Sequence, residues 1–204
     1  MRTYSRLIRL LRNLFRDLRH GAFLGGMKKT PHAHHGAYDT ANSAYEALEQ
    51  IFSEPAVAAL ARTRTVVDVG CGKGRVLNFL IDALPGRPIL GIEIDQAVAV
   101  WVSSRLRRHD NVTILPGDVR SVGLPLDALF YLFNPFDAGV MREFADRLDR
   151  EERIGSALIY YNPMHLDIFE ASPRFAIKDI KLAPGYHRCV LITVRRADGA
   201  CGPG

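Results

Sequence analysis

A short β-branched run, three alternating glycines and an amphipathic stretch follow one another in TVVDVGCGKGRVLNFLIDAL, residues 65–84. Few folds accommodate that order. Residues 65–70 predict a strand and residues 74–84 a helix. Gly70, Gly72 and Gly74 between them permit a tight turn and let the backbone approach a ligand closely. The N–H groups that open the helix have no partner within it and point toward the same place. The spacing is G-x-G-x-G, not the G-x-G-x-x-G of the dinucleotide fingerprint. Taken alone, a tight strand–helix connection without a ligand gives the same pattern.

The alternation continues along the chain. Further strands are expected at 88–94, 112–117, 128–134 and 157–162, and further helices at 40–52, 95–108, 138–151 and 163–170. Two last runs, 174–182 and 187–196, flank APGY and read as an antiparallel hairpin. Alternating βα units that end in a hairpin predict an α/β doubly wound, mostly parallel sheet. The early strands are apolar throughout, as helices on both faces require. At 204 residues the chain suits one domain with a short extension. The expected division is an arm and linker at 1–37, the domain at 38–198 and a fraying tail at 199–204.

Acids stand at or just past the ends of three successive strands: Asp68, Glu93 and Asp118. In open α/β sheets ligands bind outside the carboxyl ends of the strands. A carboxylate at the second strand, Glu93, suits the two hydroxyls of a ribose. One after the third, Asp118, can accept from an exocyclic amino group. The fourth strand then ends oddly, in FYLFNPF, residues 130–136, where Asn134 and Pro135 follow an apolar run and Phe136 follows them. Asn134 there either caps the next helix or makes an Asx turn, with Pro135 stopping the strand, or it serves a site at this edge. LIYYNPM repeats the pattern, placing Asn162-Pro163 after Tyr160 and Tyr161.

The set VVDVGCGKGRVL, GIEID, GDV and YLFNPF resembles the class I S-adenosylmethionine-dependent methyltransferases over roughly residues 40–195. The resemblance implies a seven-stranded sheet of order 3-2-1-4-5-7-6 with strand seven antiparallel, and S-adenosyl-L-methionine as cofactor. It implies that Asp68, Gly70, Gly72 and Gly74 line the methionine part of that cofactor. Glu93 would hold the ribose, and Asp118 and Val119 would meet the adenine. Asn134-Pro135-Phe136 is similar to the N/D-P-P-Y/F motif of members that methylate nitrogen, with the second proline missing. By that likeness the three residues stand at the methyl-transfer mouth. Chemistry agrees with a nitrogen acceptor: a carboxamide and a backbone carbonyl can orient an N–H, and an aromatic face favours a cation. Tyr38, ahead of the first helix of the domain, is the candidate lid residue. A nicotinamide enzyme would need its third glycine one place later and gives the Asn–Pro end no task.

Charge is unevenly spread. The net charge is +5, but residues 1–30 hold eight Lys/Arg and one acid, Asp17. The other 174 residues hold the remaining 19 of 27 Lys/Arg and 21 of 22 Asp/Glu, a net of −2. The body is therefore near neutral, and protein lysine is the favoured acceptor. A lipid or small amine comes next, and nucleic acid, which calls for a basic face, comes third. A cofactor-binding scaffold without catalysis is the other class of function. At 100° per residue, 4–19 form a basic amphipathic helix with Tyr4, Leu7, Ile8, Leu10, Leu11, Leu14, Phe15 and Leu18 on one side. Three readings of this arm stand. It packs its apolar face on the body or a second subunit, it lies in an anionic membrane interface, or it binds nucleic acid or an acidic protein. Three cysteines without C-x-x-C spacing point to a reducing, cytoplasmic setting. His32, His34 and His35 lack a supporting acid or Cys, so no metal is expected. Trp101 is expected in the core.

Overall fold

The structure, a computed structural model, describes residues 2–25, 43–150, 153 and 155–195. Tyr38 and the three histidines at 32, 34 and 35 lie outside the described residues. Seven strands form one sheet: β1 (Thr65–Val69), β2 (Ile89–Glu93), β3 (Val112–Pro116), β4 (Ala128–Phe133), β5 (Ala157–Tyr161), β6 (Phe175–Ile180) and β7 (Cys189–Val194). Their order is β3-β2-β1-β4-β5-β7-β6, the order expected above. Strands β1 to β5 are parallel, and β7 runs antiparallel to both β5 and β6.

The helices are α1 (Arg2–Arg19), α2 (Tyr45–Ser53), α3 (Pro55–Thr63), α4 (Arg75–Ala83), α5 (Gln96–Leu106), α6 (Ala138–Leu148) and α7 (Asp167–Glu170). Side chains alternate across a strand, so each central strand feeds two cores. Leu129 and Tyr131 of β4 join Ile159 and Tyr161 of β5 beneath α2, α4 and α5. Phe130 and Leu132 join Leu158 and Tyr160 beneath α6 and α7. The burial of both faces is what an all-apolar strand sequence demands.

Two expectations are corrected. The first helix of the domain does not simply end at 52: α3 follows at once, with Pro55 as its first residue. Proline breaks a helix interior but suits the first turn, where its missing N–H would be unpaired anyway. Trp101 is not in the core; it is 43% exposed and lies under the Arg105 guanidinium at 5.4 Å.

For α1, the structure bears on the first of the three readings of the arm. The helix docks on the body, but through its polar side. Asp17 is 0% exposed and accepts from Arg75 (3.1 and 2.5 Å), from the Tyr45 hydroxyl (2.9 Å) and from the Leu24 N–H (3.2 Å). Arg16 pairs with Glu49 at 2.6 Å, and Arg19 with Asp82 at 3.0 Å. Leu10, Leu11, Phe15 and Leu18 are exposed. Asp17 and Phe15 lie two residues apart, about 160° around the helix, so docking through Asp17 turns the apolar stripe outward.

Candidate functional site

The loop between β1 and α4 is built by left-handed backbone. Gly70, Gly72 and Gly74 take φ of 72°, 52° and 83°, a region that side-chain-bearing residues rarely adopt. The Gly70 and Cys71 N–H groups both donate to the Ile92 carbonyl, each at 2.9 Å, which ties the loop to β2. Helix α4 opens on Gly74 without a side-chain cap, whereas α5 and α6 are capped by Asp95 and Asp137. Among the described residues no side chain caps the first N–H groups of α4, and such helix starts favour bound anions.

Two carboxylates face this loop. Glu93 accepts the Gly72 N–H at 2.8 Å through one oxygen and the Asp95 N–H at 2.9 Å through the other. Asp68 is buried, and its Oδ2 has no hydrogen-bond partner among the described residues. Burial pushes the Asp68 carboxyl up to about 8, and the nearby Glu93 charge adds to the shift. An orphaned buried carboxylate oxygen is costly, and a cationic or N–H-bearing ligand group would satisfy it. Burial likewise raises the Cys71 thiol well above its ordinary value, so it is no nucleophile. Asp118 is held by Arg120 through contacts of 2.6 to 3.0 Å, and Arg120 also reaches Glu143 at 3.5 Å. Val119 is buried, and its carbonyl accepts from Arg147.

The Asn–Pro end of β4 lies against the glycine loop. A Cβ placed on Gly70 would stand 2.9 Å from the Pro135 Cβ. Asn134 does not cap α6; Asp137 does, accepting from the Val140 N–H at 3.0 Å. Asn134 instead takes φ of 41°, and Asn162 at the end of β5 takes 54°. Phe133 and Tyr161 are register partners, so the two asparagines follow in register on adjacent strands. The Tyr160 hydroxyl donates to the Asn134 Oδ1 at 3.1 Å, and the Tyr160 hydroxyl oxygen in turn accepts the His165 N–H at 3.3 Å. Phe136 is buried and packs at 6.3 Å from Phe144 in the core beneath α6. The aromatics gathered at the edge are others: Phe133 and Tyr161 at 4.8 Å, with the His187 ring 5.7 and 5.6 Å from them. Phe133 and His187 were missed because each sits in an ordinary apolar or loop sequence. Only the β4–β5–β7 pairing brings them together.

This sheet and these left-handed glycines define a class. The fold is that of the class I S-adenosylmethionine-dependent methyltransferases. No family model matches the chain. A protein from Klebsiella pneumoniae described as an O-methyltransferase is similar in structure, with a TM-score of 0.60 and 16% identity over 92% of this chain and 90% of that one. A variant of MtNAS in complex with S-adenosylmethionine gives a TM-score of 0.54 and 18% identity over 74% of this chain and 62% of that one. In sequence, 62 residues are 37% identical to the tRNA (guanine-N(7)-)-methyltransferase of Neurospora crassa. That match takes in 30% of this chain, and the chain spans about a fifth (21%) of that relative's length. The residues present fit S-adenosylmethionine: an acid with one oxygen unpartnered among the described residues for a cationic group, a cradle of left-handed glycines, and a helix start without a side-chain cap.

Proposed function

We propose that this chain is an S-adenosylmethionine-dependent methyltransferase acting on a nitrogen acceptor. The observation that carries the reading is the approach of the Asn134-Pro135 turn to the glycine loop, with no room for even a Cβ at Gly70. When bound, the cofactor supplies an electrophilic methyl group on a sulfonium. Asp68, Gly70, Gly72 and Gly74 hold its amino-acid end, Glu93 its ribose, and Asp118 and Val119 its adenine. Asn134 accepts an N–H of the acceptor, by its carboxamide or its backbone carbonyl, and so turns the nitrogen lone pair toward the methyl. Tyr160, bonded to the Asn134 oxygen, positions that carboxamide. Pro135 sets the turn, and Phe136 anchors it in the core beneath α6.

Protein lysine is the favoured acceptor, supported by a body of net charge −2 outside residues 1–30 and by the half-buried Phe133 ring, whose face suits the ammonium that forms as the amine takes the methyl. A tRNA nitrogen is the second reading, favoured by the 62-residue match to a tRNA methyltransferase. Radiolabelled methyl transfer from S-adenosylmethionine into a cell extract, divided between nuclease and protease treatment, separates the two. Label that resists nuclease and yields to protease supports lysine. Absence of S-adenosylmethionine affinity in folded protein, read by calorimetry, would sink the whole reading. Cofactor binding without S-adenosylhomocysteine production would leave a scaffold instead.

A further inference from the structure

We propose that α1 is an interfacial anchor that seats the domain on an anionic lipid surface. Its orientation is fixed by a built polar contact. Asp17 is fully buried among the Arg75, Tyr45 and Leu24 donors, and Arg105 donates to the His20 carbonyl at 2.8 Å just past the helix end. Rolling the helix to bury its leucines would strip Arg75 and the Tyr45 hydroxyl of their acceptor, and stranding a buried charge is costly. The apolar stripe is therefore held outward: Leu10, Leu11, Phe15 and Leu18 are each more than half exposed. Beyond α1 the surface continues in kind. Phe23 and Trp101, both exposed, share a cavity of about 300 Å³ with Lys73. Gly21 and Trp101 share another, of about 350 Å³, with Arg107 and Arg108.

Charge selects the occupant. The first 30 residues carry eight basic side chains and the single acid Asp17, and that acid is spent on Arg75. Arg12, Arg107 and Arg108 are exposed. An apolar stripe beside arginines with aromatics nearby is what an anionic interface takes up. A second copy fits poorly. A two-fold axis would bring two such basic arms together. A helix of 18 residues offers a strip roughly 27 Å by 10 Å, or roughly 540 Å² across a pair, about a third of what a standard stable interface buries.

The test is flotation of the full chain with phosphatidylcholine vesicles, with and without about 30% phosphatidylglycerol, alongside analytical ultracentrifugation. Binding is expected to the anionic vesicles, to weaken as salt rises, and to fall at least about tenfold in Leu11→Ser/Phe15→Ser. Both positions are exposed, so the thermal midpoint and S-adenosylmethionine affinity of that variant should stay as in the parent; they show that it is folded. Failure of the folded parent to float with anionic vesicles overturns the proposal. So does a concentration-dependent dimer that the same double variant abolishes, which would assign the stripe to a second copy. Neither outcome touches the methyltransferase reading, which is tested by cofactor binding.

Discussion

Asp68→Asn isolates the acid at the heart of the site. In the free protein burial holds the Asp68 carboxyl near 8, so at pH 5.5 only about 0.3% of molecules are ionised there and at pH 7.0 about 9%. If the cationic end of S-adenosylmethionine pairs with the ionised form, binding below pH 8 must expel a proton. Affinity then rises about tenfold per pH unit, or about 30-fold between pH 5.5 and 7.0. The ligand's own α-amino group stays protonated over that range. Calorimetry in two buffers of different ionisation enthalpy should show close to one proton released per cofactor bound, and Asp68→Asn should flatten the profile. Stability carries the opposite sign. The folded pKa lies above the ordinary 3.8, so the folded state keeps a proton that the unfolded chain loses. Stability of the cofactor-free protein therefore falls as pH rises from about 4 to about 8. At pH 7.5 Asp68→Asn should stabilise it by several kcal/mol, at most about 5. A flat affinity profile in the parent, or a slope that survives in the variant, would refute the assignment of Asp68 to a cationic group.

Gly70→Ala forces a Cβ to within 2.9 Å of Pro135 at a φ of 72°; it should destabilise by about 1–2 kcal/mol and weaken cofactor affinity, read by thermal melting and calorimetry. Tyr160→Phe removes the donor to the Asn134 Oδ1; kcat should drop about fivefold to tenfold, the equivalent of about 1 kcal/mol, at unchanged cofactor affinity, whereas a merely structural role would move the melting point and not kcat. Asp17→Asn leaves Arg75 without its buried counter-charge; about 3 kcal/mol should be lost, a fall of roughly 6–12 °C in melting temperature.

The sheet was legible because its signals are local and redundant. Each of β1 to β5 is a short, mostly apolar run closed by a glycine, an acid, an amide or a Pro-Gly pair, and length together with those closing residues separates such runs from the longer helices between them. The glycine loop was legible for the same reason: three glycines in five residues permit the left-handed backbone that the loop adopts. Phe136 was not. Beside Asn134 in sequence, it is carried by the turn at Pro135 into the core with Phe144, and sequence neighbours do not share a direction once the strand ends. Phe133 and His187 are 54 residues apart in sequence, so their tilted ring contact exists only through tertiary pairing. The α2–α3 break escaped because Pro55 signals a stop as readily as a start.

The helix of the arm was legible, whereas which of its sides packs on the body was left open. An amphipathic helix is expected to bury its apolar stripe, and the pattern contains nothing against that except Asp17. That acid decides the outcome because of what it meets. Arg75 is the first residue of α4, directly after the glycine loop, and Arg105 binds the arm at the His20 carbonyl and the loop at the Lys73 carbonyl, 3.0 Å away. Gly74 has no space for a side chain partly because the Arg105 Nη2 stands 2.8 Å from where its Cβ would be. Two guanidiniums thus fasten one helix to the backbone that shapes the candidate cofactor cradle. Arg75 is buried deeply enough that losing Asp17 would leave its charge unpaired beside that cradle. The polar side of α1 is therefore part of the domain, and the apolar side is what the domain presents to its surroundings.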